Sequence, residues 1–248
     1  MSKLSPSWRR AVFIIATLAG AGILTAVSVH DFRTARLPPE NRPIQSQISG
    51  YVSSNACRAC HVENYESWHG SFHRTMTQVA TPAALPDDVD KLDLTFNGRE
   101  YKGERRGDKF FVRVRPEGGS YGEPRQIVLQ TGSHTLKILW LESGQGRTLQ
   151  QFPFAYIIPE KIWAPVTQTF LIPPELKEYY SLGAWNGACM DCHVTQGQSR
   201  FVEGNRWDSQ VAEFGIACEA CHSEGRQHIE ANRNPIRRFT LHLTTKTD

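Results

Sequence analysis

The sequence predicts an α+β chain of low regular secondary structure, in which an N-terminal transmembrane helix precedes a body with a β-rich central insert. Three observations lead there. Residues 11–29 read AVFIIATLAGAGILTAVSV without a charge. Between residues 90 and 160 lie short runs of β-branched and aromatic residues, broken by Gly, Asn and Asp. The six cysteines fall into three C-x-x-C pairs, and the last two pairs sit in Gly-rich, polar segments that bury little by themselves.

The apolar run follows Trp8-Arg9-Arg10 and is 19 residues long, close to the roughly 20 that span a bilayer core. Arginines on its N-terminal side keep residues 1–10 in the cytoplasm, so the expected location is the bacterial cytoplasmic membrane, crossed once, with the body in the periplasm. A cleaved signal is the rival, because Ala26-Val27-Ser28 fits a small-x-small site. A buried soluble helix is disfavoured, since the run is apolar on every face. Residues 30–52, with Pro38, Pro39 and Pro43 and no apolar period, read as a linker.

The body is expected to occupy residues 53–248. Its first cysteine segment is 53–80, with a helix over 65–79 that stops before Thr81-Pro82. The β-rich middle is 90–160, with strands around 92–96, 109–114, 126–129 and 135–140 pairing as antiparallel hairpins. Residues 157–174, proline-interrupted and aromatic, predict an ordered loop, and 185–230 carry the last two cysteine pairs. With 40% hydrophobic and 21% charged residues the chain is that of a folded protein. Its formal charge is +3, yet setting aside Lys3, Arg9 and Arg10 takes the 28 basic residues to 25, equal to the 25 acidic ones. That balance gives no support to a nucleic-acid partner.

The chemistry is in the cysteine pairs: Cys57-Arg58-Ala59-Cys60-His61, Cys189-Met190-Asp191-Cys192-His193 and Cys218-Glu219-Ala220-Cys221-His222. Structural zinc, redox dithiols and disulfides would accept the cysteines, but none requires a histidine after every pair. With 9 histidines in 248 residues, chance would put one in all three places about once in 20,000. C-x-x-C-H is the attachment signature of c-type haem: two thiols reach the two vinyl groups of one porphyrin edge while the next imidazole reaches iron. The expected cofactors are therefore three haem c. They would be attached at Cys57 and Cys60, Cys189 and Cys192, and Cys218 and Cys221, with His61, His193 and His222 as iron ligands. The 53–248 body then becomes a triheme, haem-packed domain. Cys189 and Cys218 are near enough in sequence to predict a close pair of haems, toward which the first folds back.

Six histidines remain for the opposite faces: His30, His69, His73, His134, His228 and His242, of which His30 is least suited because it lies at the membrane end of the linker. Met76 is a further candidate, whereas Met190 lies inside a motif and is expected to point away from its own iron.

Several stretches resemble the multihaem cytochrome c family related to the tetrahaem cytochrome that accepts electrons from hydroxylamine oxidation. They are Cys57-x-x-Cys60-His61 followed by Trp68-His69-Gly70-Ser71-Phe72-His73, then Thr131-Gly132-Ser133-His134, then Trp185-Asn186 before Cys189. The last runs from Gly215-Ile216-Ala217 through the third motif to His228. The resemblance, from about Tyr51 onward, implies that His73 and His228 are distal ligands to neighbouring haems, with His134 a third candidate and His69 and His242 in reserve. Relatives continue past Arg237-Arg238-Phe239-Thr240-Leu241-His242-Leu243 to a further C-x-x-C-H, so a natural short form or a truncated reading frame is expected here.

Two roles follow. One is a membrane-tethered electron carrier between redox protein partners, such as a membrane quinol oxidase or a periplasmic dehydrogenase. The other is an oxidoreductase with one five-coordinate haem open to a small nitrogen or sulfur compound. Candidate axial histidines outnumber the irons and no other catalytic motif is present, which favours the carrier. A haem-bearing docking subunit of a larger respiratory complex is the third reading.

Overall fold

The computed structural model describes residues 40–173, 182–204 and 206–233. Strand β1 (Ile44–Gln45) leads to helix α1 (Ser54–Arg58), helix α2 (Val62–His69) and strand β2 (Thr77–Val79). The 65–79 helix of the sequence reading stops at His69, where Gly70 closes α2, and the chain turns into β2 instead.

An antiparallel meander follows, of β3 (Asp93–Phe96), β4 (Arg99–Arg106), β5 (Lys109–Pro116), β6 (Arg125–Thr131), β7 (Leu136–Glu142), β8 (Leu149–Ile157) and β9 (Ile162–Pro165). β5 pairs with the first half of one edge of β6 and β2 with its second half, so β2 completes an eight-stranded sheet. The sheet curls far enough for its first strands to face its last: the Phe96 and Phe154 rings lie 5.8 Å apart, and Tyr101 meets both Phe152 and Phe154. The result is a nearly closed, barrel-like sheet.

Its strands bury both faces. In β7, Leu139 and Leu141 enter one core with Phe110, Val112, Ile127, Phe152 and Phe154, inside the curl. Ile138 and Trp140 enter a second, with Val128, Leu149, Trp185, Met190, Val194 and Val211, outside it. This is the period-2 alternation of a strand with apolar neighbours above and below. At about 1.5–3 kcal/mol for each large apolar side chain removed from water, these two cores dominate the stability of the fold.

After α3 (Val166–Thr169), one wide π-turn over Trp185–Cys189 passes into α4 (Met190–His193). Strands β10 (Val194–Gln198) and β13 (Gln210–Phe214) pair antiparallel, with the small ribbon β11 (Phe201–Val202) and β12 (Arg206–Trp207) between them and β1 alongside β13. Helices α5 (Cys218–His222) and α6 (Arg226–Arg233) complete the described chain.

The α+β expectation with a β-rich insert is corrected by this architecture. The sheet is the body of the protein, strands recur at 194–214, and the described helices are one or two turns long. Helices α1, α4 and α5 are single turns built on the motifs, while the apolar residues sit at strand period. The single-pass membrane expectation is corrected as well: no helix among the described residues is long and apolar enough to cross a membrane. Residues 11–29 and the ends carrying His30 and His242 lie outside the described residues. Within the stretch expected as a linker, β1 pairs with β13 and Tyr51 is buried. Within the expected loop at 157–174 lie β9 and α3.

Candidate haem-attachment site

Each C-x-x-C-H lies on a single helical turn. In the first, the amides of Cys60 and His61 both donate to the Cys57 carbonyl, at 3.2 and 2.9 Å. The third is itself helix α5, and the second is the π-turn's end plus α4. All three share one disposition: the first cysteine (Cys57, Cys189, Cys218) is half-buried and the second (Cys60, Cys192, Cys221) is exposed. Each turn thus offers one half-buried and one exposed sulfur, with the next histidine beside them. All six cysteines are free thiols, and among the described residues no three His, Cys, Asp or Glu gather as a metal site. Two thiols and the following imidazole on one turn are the donor set that haem c attachment uses.

The fold gathers the three motifs. Trp68 donates its Nε1–H to the Ile216 carbonyl at 2.7 Å, and the Ser54 hydroxyl accepts from the Cys218 amide at 3.4 Å. The Cys57 and Cys218 thiols are neighbours close enough to perturb each other. That contact raises Cys57, with burial adding to the rise, and lowers Cys218 to about 6. The second motif joins through the β10–β13 hairpin, where Val194, next to His193, pairs with Phe214 and Thr195 holds both Gly215 and Ala217. Sequence spacing predicts the second and third motifs as the close pair; the first and third are also joined directly, through the Trp68 and Ser54 hydrogen bonds.

Among the histidines, His61 and His228 lie with ring centroids 6.1 Å apart and planes 26° from parallel. Two imidazoles that shared one metal through their ring nitrogens would have centroids about 6.2 Å apart, from metal–nitrogen distances of about 2.0 Å and a nitrogen-to-centroid distance of about 1.1 Å. Asn232 lies 3.2 Å from His228 Nδ1, which leaves Nε2 available as a ligand. His73 is exposed, and its carbonyl accepts the Ile216 amide at 2.9 Å, two residues before Cys218. Gly215, at φ +77°, permits that approach: a Cβ there would stand 2.2 Å from the Arg74 carbonyl. His134, at the tip of the β6–β7 turn, packs on Phe72 at 4.4 Å. His69 stacks on Tyr65 at 5.5 Å, and Met190 is wholly buried in the second core, facing away from the motif's exposed side.

Burial holds the His193 imidazole below its ordinary range. Its Nδ1 is buried without a hydrogen-bond partner, and burial pushes the Cys189 thiol up. His222 is exposed at the end of α5.

Residues 177–223 match the family described as cytochrome c554 and c-prime. The match supports a cytochrome c family. Two of the three C-x-x-C-H motifs fall within it, and it supports haem c as cofactor and electron transport as role. Among solved structures, the outer cell wall cytochrome OcwA is similar at 17% identity with a TM-score of 0.47. The likeness covers 81% of this chain and 36% of that one, so this chain spans about a third of that protein's length. No curated protein matches the chain.

Four groups that assemble this site had no role assigned from the sequence. Glu213 accepts from both the amide and the hydroxyl of Ser54 at 2.9 Å. Glu219, inside the third motif, is 3% exposed and accepts from Val52 and Gly225. Burial raises its carboxyl above the ordinary range against the opposing pull of those amides. Asn232 and Trp68 are the others. The one signal for Glu219 was a charged residue in a motif position that attachment leaves free.

Proposed function

We propose that this chain is a three-haem c-type cytochrome that carries electrons between redox protein partners. The convergence of three C-x-x-C-H turns, the first more than a hundred residues before the other two, carries the reading. The family match covers the second and third, and the first is tied to the third through the Trp68 indole on the Ile216 carbonyl and the Cys218 amide on the Ser54 hydroxyl.

Cys57 and Cys60, Cys189 and Cys192, and Cys218 and Cys221 would hold the haems through thioethers, with His61, His193 and His222 as the adjacent iron ligands. Each haem c supplies a one-electron couple when bound. This chain's residues fasten, orient and shield it. His228 faces His61 across the first site at a separation suited to a shared iron. His73 and His134 stand near the third motif and the β6–β7 turn as candidates for the other two sites. Full histidine ligation on both faces suits a carrier, because a saturated iron has no position for a substrate.

Haem quantitation together with the mass of the intact chain tests the proposal. Three haems per chain are expected, and Cys189→Ala with Cys192→Ala should lose one. A double variant that keeps its haem count removes the second site. A high-spin ferric resonance that moves on adding nitrite or cyanide would assign the protein instead as an oxidoreductase with an open iron.

A further inference from the structure

Glu219 occupies the second position of Cys218-Glu219-Ala220-Cys221-His222 and is buried. Its two oxygens accept the Val52 amide at 3.0 and 2.9 Å, and Oε1 also accepts the Gly225 amide at 2.7 Å. Val52 directly precedes Ser53, the N-cap of α1, on whose helix and cap the first motif ending in His61 is built. Gly225 directly precedes α6, which carries His228. One carboxylate in the third motif thus grips the two segments that end in the two facing imidazoles of the first. The segments also touch through the Arg226 amide on the Gly50 carbonyl, at 3.1 Å, and the Arg226 guanidinium on the Tyr51 carbonyl, at 3.2 Å.

Among the described residues no lysine or arginine forms an ion pair with Glu219. A buried carboxylate without a cation is costly, and only strong hydrogen bonds offset that cost. Two amide donors on one carboxylate supply them. A glutamine would turn an NH₂ donor toward one of those N–H groups, so the geometry asks for an acceptor on both oxygens. Gly225 completes the fit, since a Cβ there would stand 3.1 Å from Glu219 Oε1 and 3.3 Å from Val52 Cγ2.

From these contacts we infer that Glu219 is a positioning residue for the first haem site, setting the separation of His61 and His228 although it belongs to the attachment motif of the third. The inference rests on the reading in which those two histidines share one iron.

Electron paramagnetic resonance of the full-length, oxidised holoprotein tests it with His228→Ala, Glu219→Gln and the double variant. His228→Ala should convert one low-spin haem to high spin, and added imidazole should reverse the change. Glu219→Gln should convert part of the same haem while the chain retains three haems, and the double variant should show no more high-spin iron than His228→Ala alone. An additive double variant would mean that Glu219 acts on its own haem, which overturns the inference, as would a Glu219→Gln spectrum identical to wild type. Gly225→Ala, which keeps the carboxylate but crowds its Oε1, should give a smaller loss at the same haem if Glu219→Gln does not fold. A wild-type spectrum from Gly225→Ala would then count as overturning it. If His228→Ala leaves every haem low-spin, the axial pairing itself has failed, an outcome separate from failure of the clamp.

Discussion

The meander of residues 93–165 and the motif-bearing segments on either side of it are built from different materials. Inside the curl the buried residues are Leu85, Val89, Phe110, Val112, Ile127, Leu139, Phe152 and their neighbours, nearly all apolar. In residues 51–69 and 216–233 the buried residues are Tyr51, Ser54, Ala217, Glu219, Gly225 and Ala231, while α2 buries none. Val62 and Phe72 stand about half exposed beside the first motif. The sheet can hold itself together through the hydrophobic effect, whereas the motif segments hold one another by amide-to-carboxylate bonds and leave apolar surface that a macrocycle would cover. One region is a scaffold complete in its own residues; the other is a cradle whose core is the cofactor.

The largest expected effect breaks the two regions apart. Chain prepared without haem should keep slow amide exchange in β6, β7 and β8 while residues 51–69 and 216–233 exchange at rates near those of an open chain. Equal protection in both regions would show that the cradle does not depend on its cofactor. The converse test is Phe152→Ala, which removes the ring that Tyr101, Phe154 and Trp163 all meet. It should cost about 3–5 kcal/mol in denaturant unfolding of the holoprotein, as for large core aromatics generally. A loss below about 1 kcal/mol would mean that the meander's core is not what holds the scaffold.

The second core joins the two regions, and Thr131 is its polar hinge. Its Oγ1 accepts the indole N–H of Trp140 at 3.1 Å and of Trp185 at 3.2 Å, and lies 3.3 Å from the Thr77 hydroxyl. With both lone pairs engaged, Thr131 must donate its own proton to Thr77. Thr131→Val leaves two buried indole donors without an acceptor, at about 1–3 kcal/mol each at most. Thermal unfolding should show the loss, and a Thr131→Ser protein should recover most of it. If Thr131→Val is as stable as wild type, the two regions are joined by apolar packing alone.

The same division explains what the sequence disclosed. Attachment chemistry is local, so three C-x-x-C-H turns could be read directly, and strands β3, β5, β6 and β7 showed in their β-branched and aromatic runs. β4, Arg99–Arg106, escaped because its solvent face carries Glu100, Lys102 and Glu104 and masks the alternation around Tyr101. β8 escaped because Pro153 interrupts it; the proline lies where the β7–β8 register shifts, the one place a ladder tolerates a missing donor. The curl of the sheet and the meeting of Cys57 with Cys218 join residues dozens to more than a hundred positions apart. They depend on which buried faces find each other, and no local period encodes that.

The smallest effect belongs at the charged edge of the meander, where β4 and β5 carry the pairs Arg113 with Glu104 and Arg115 with Glu100. Hydrogen bonds from Arg115 first, and from Tyr121 next, hold the Glu100 carboxyl below its ordinary range. A carboxyl held lower in the folded state than in the open chain contributes all its stability above the open-chain value of about 4.3 and loses it as pH falls through the folded value. Glu100→Gln should therefore lower the unfolding midpoint slightly at pH 7, by less than Thr131→Val does. The difference from wild type should shrink as pH falls below about 4, and shrink again in high salt, because exposed ion pairs are screened. A difference that persists unchanged at pH 3 would mean that the side chain's packing, and not its charge, holds the edge, which would bring this hairpin under the same apolar rule as the rest of the sheet.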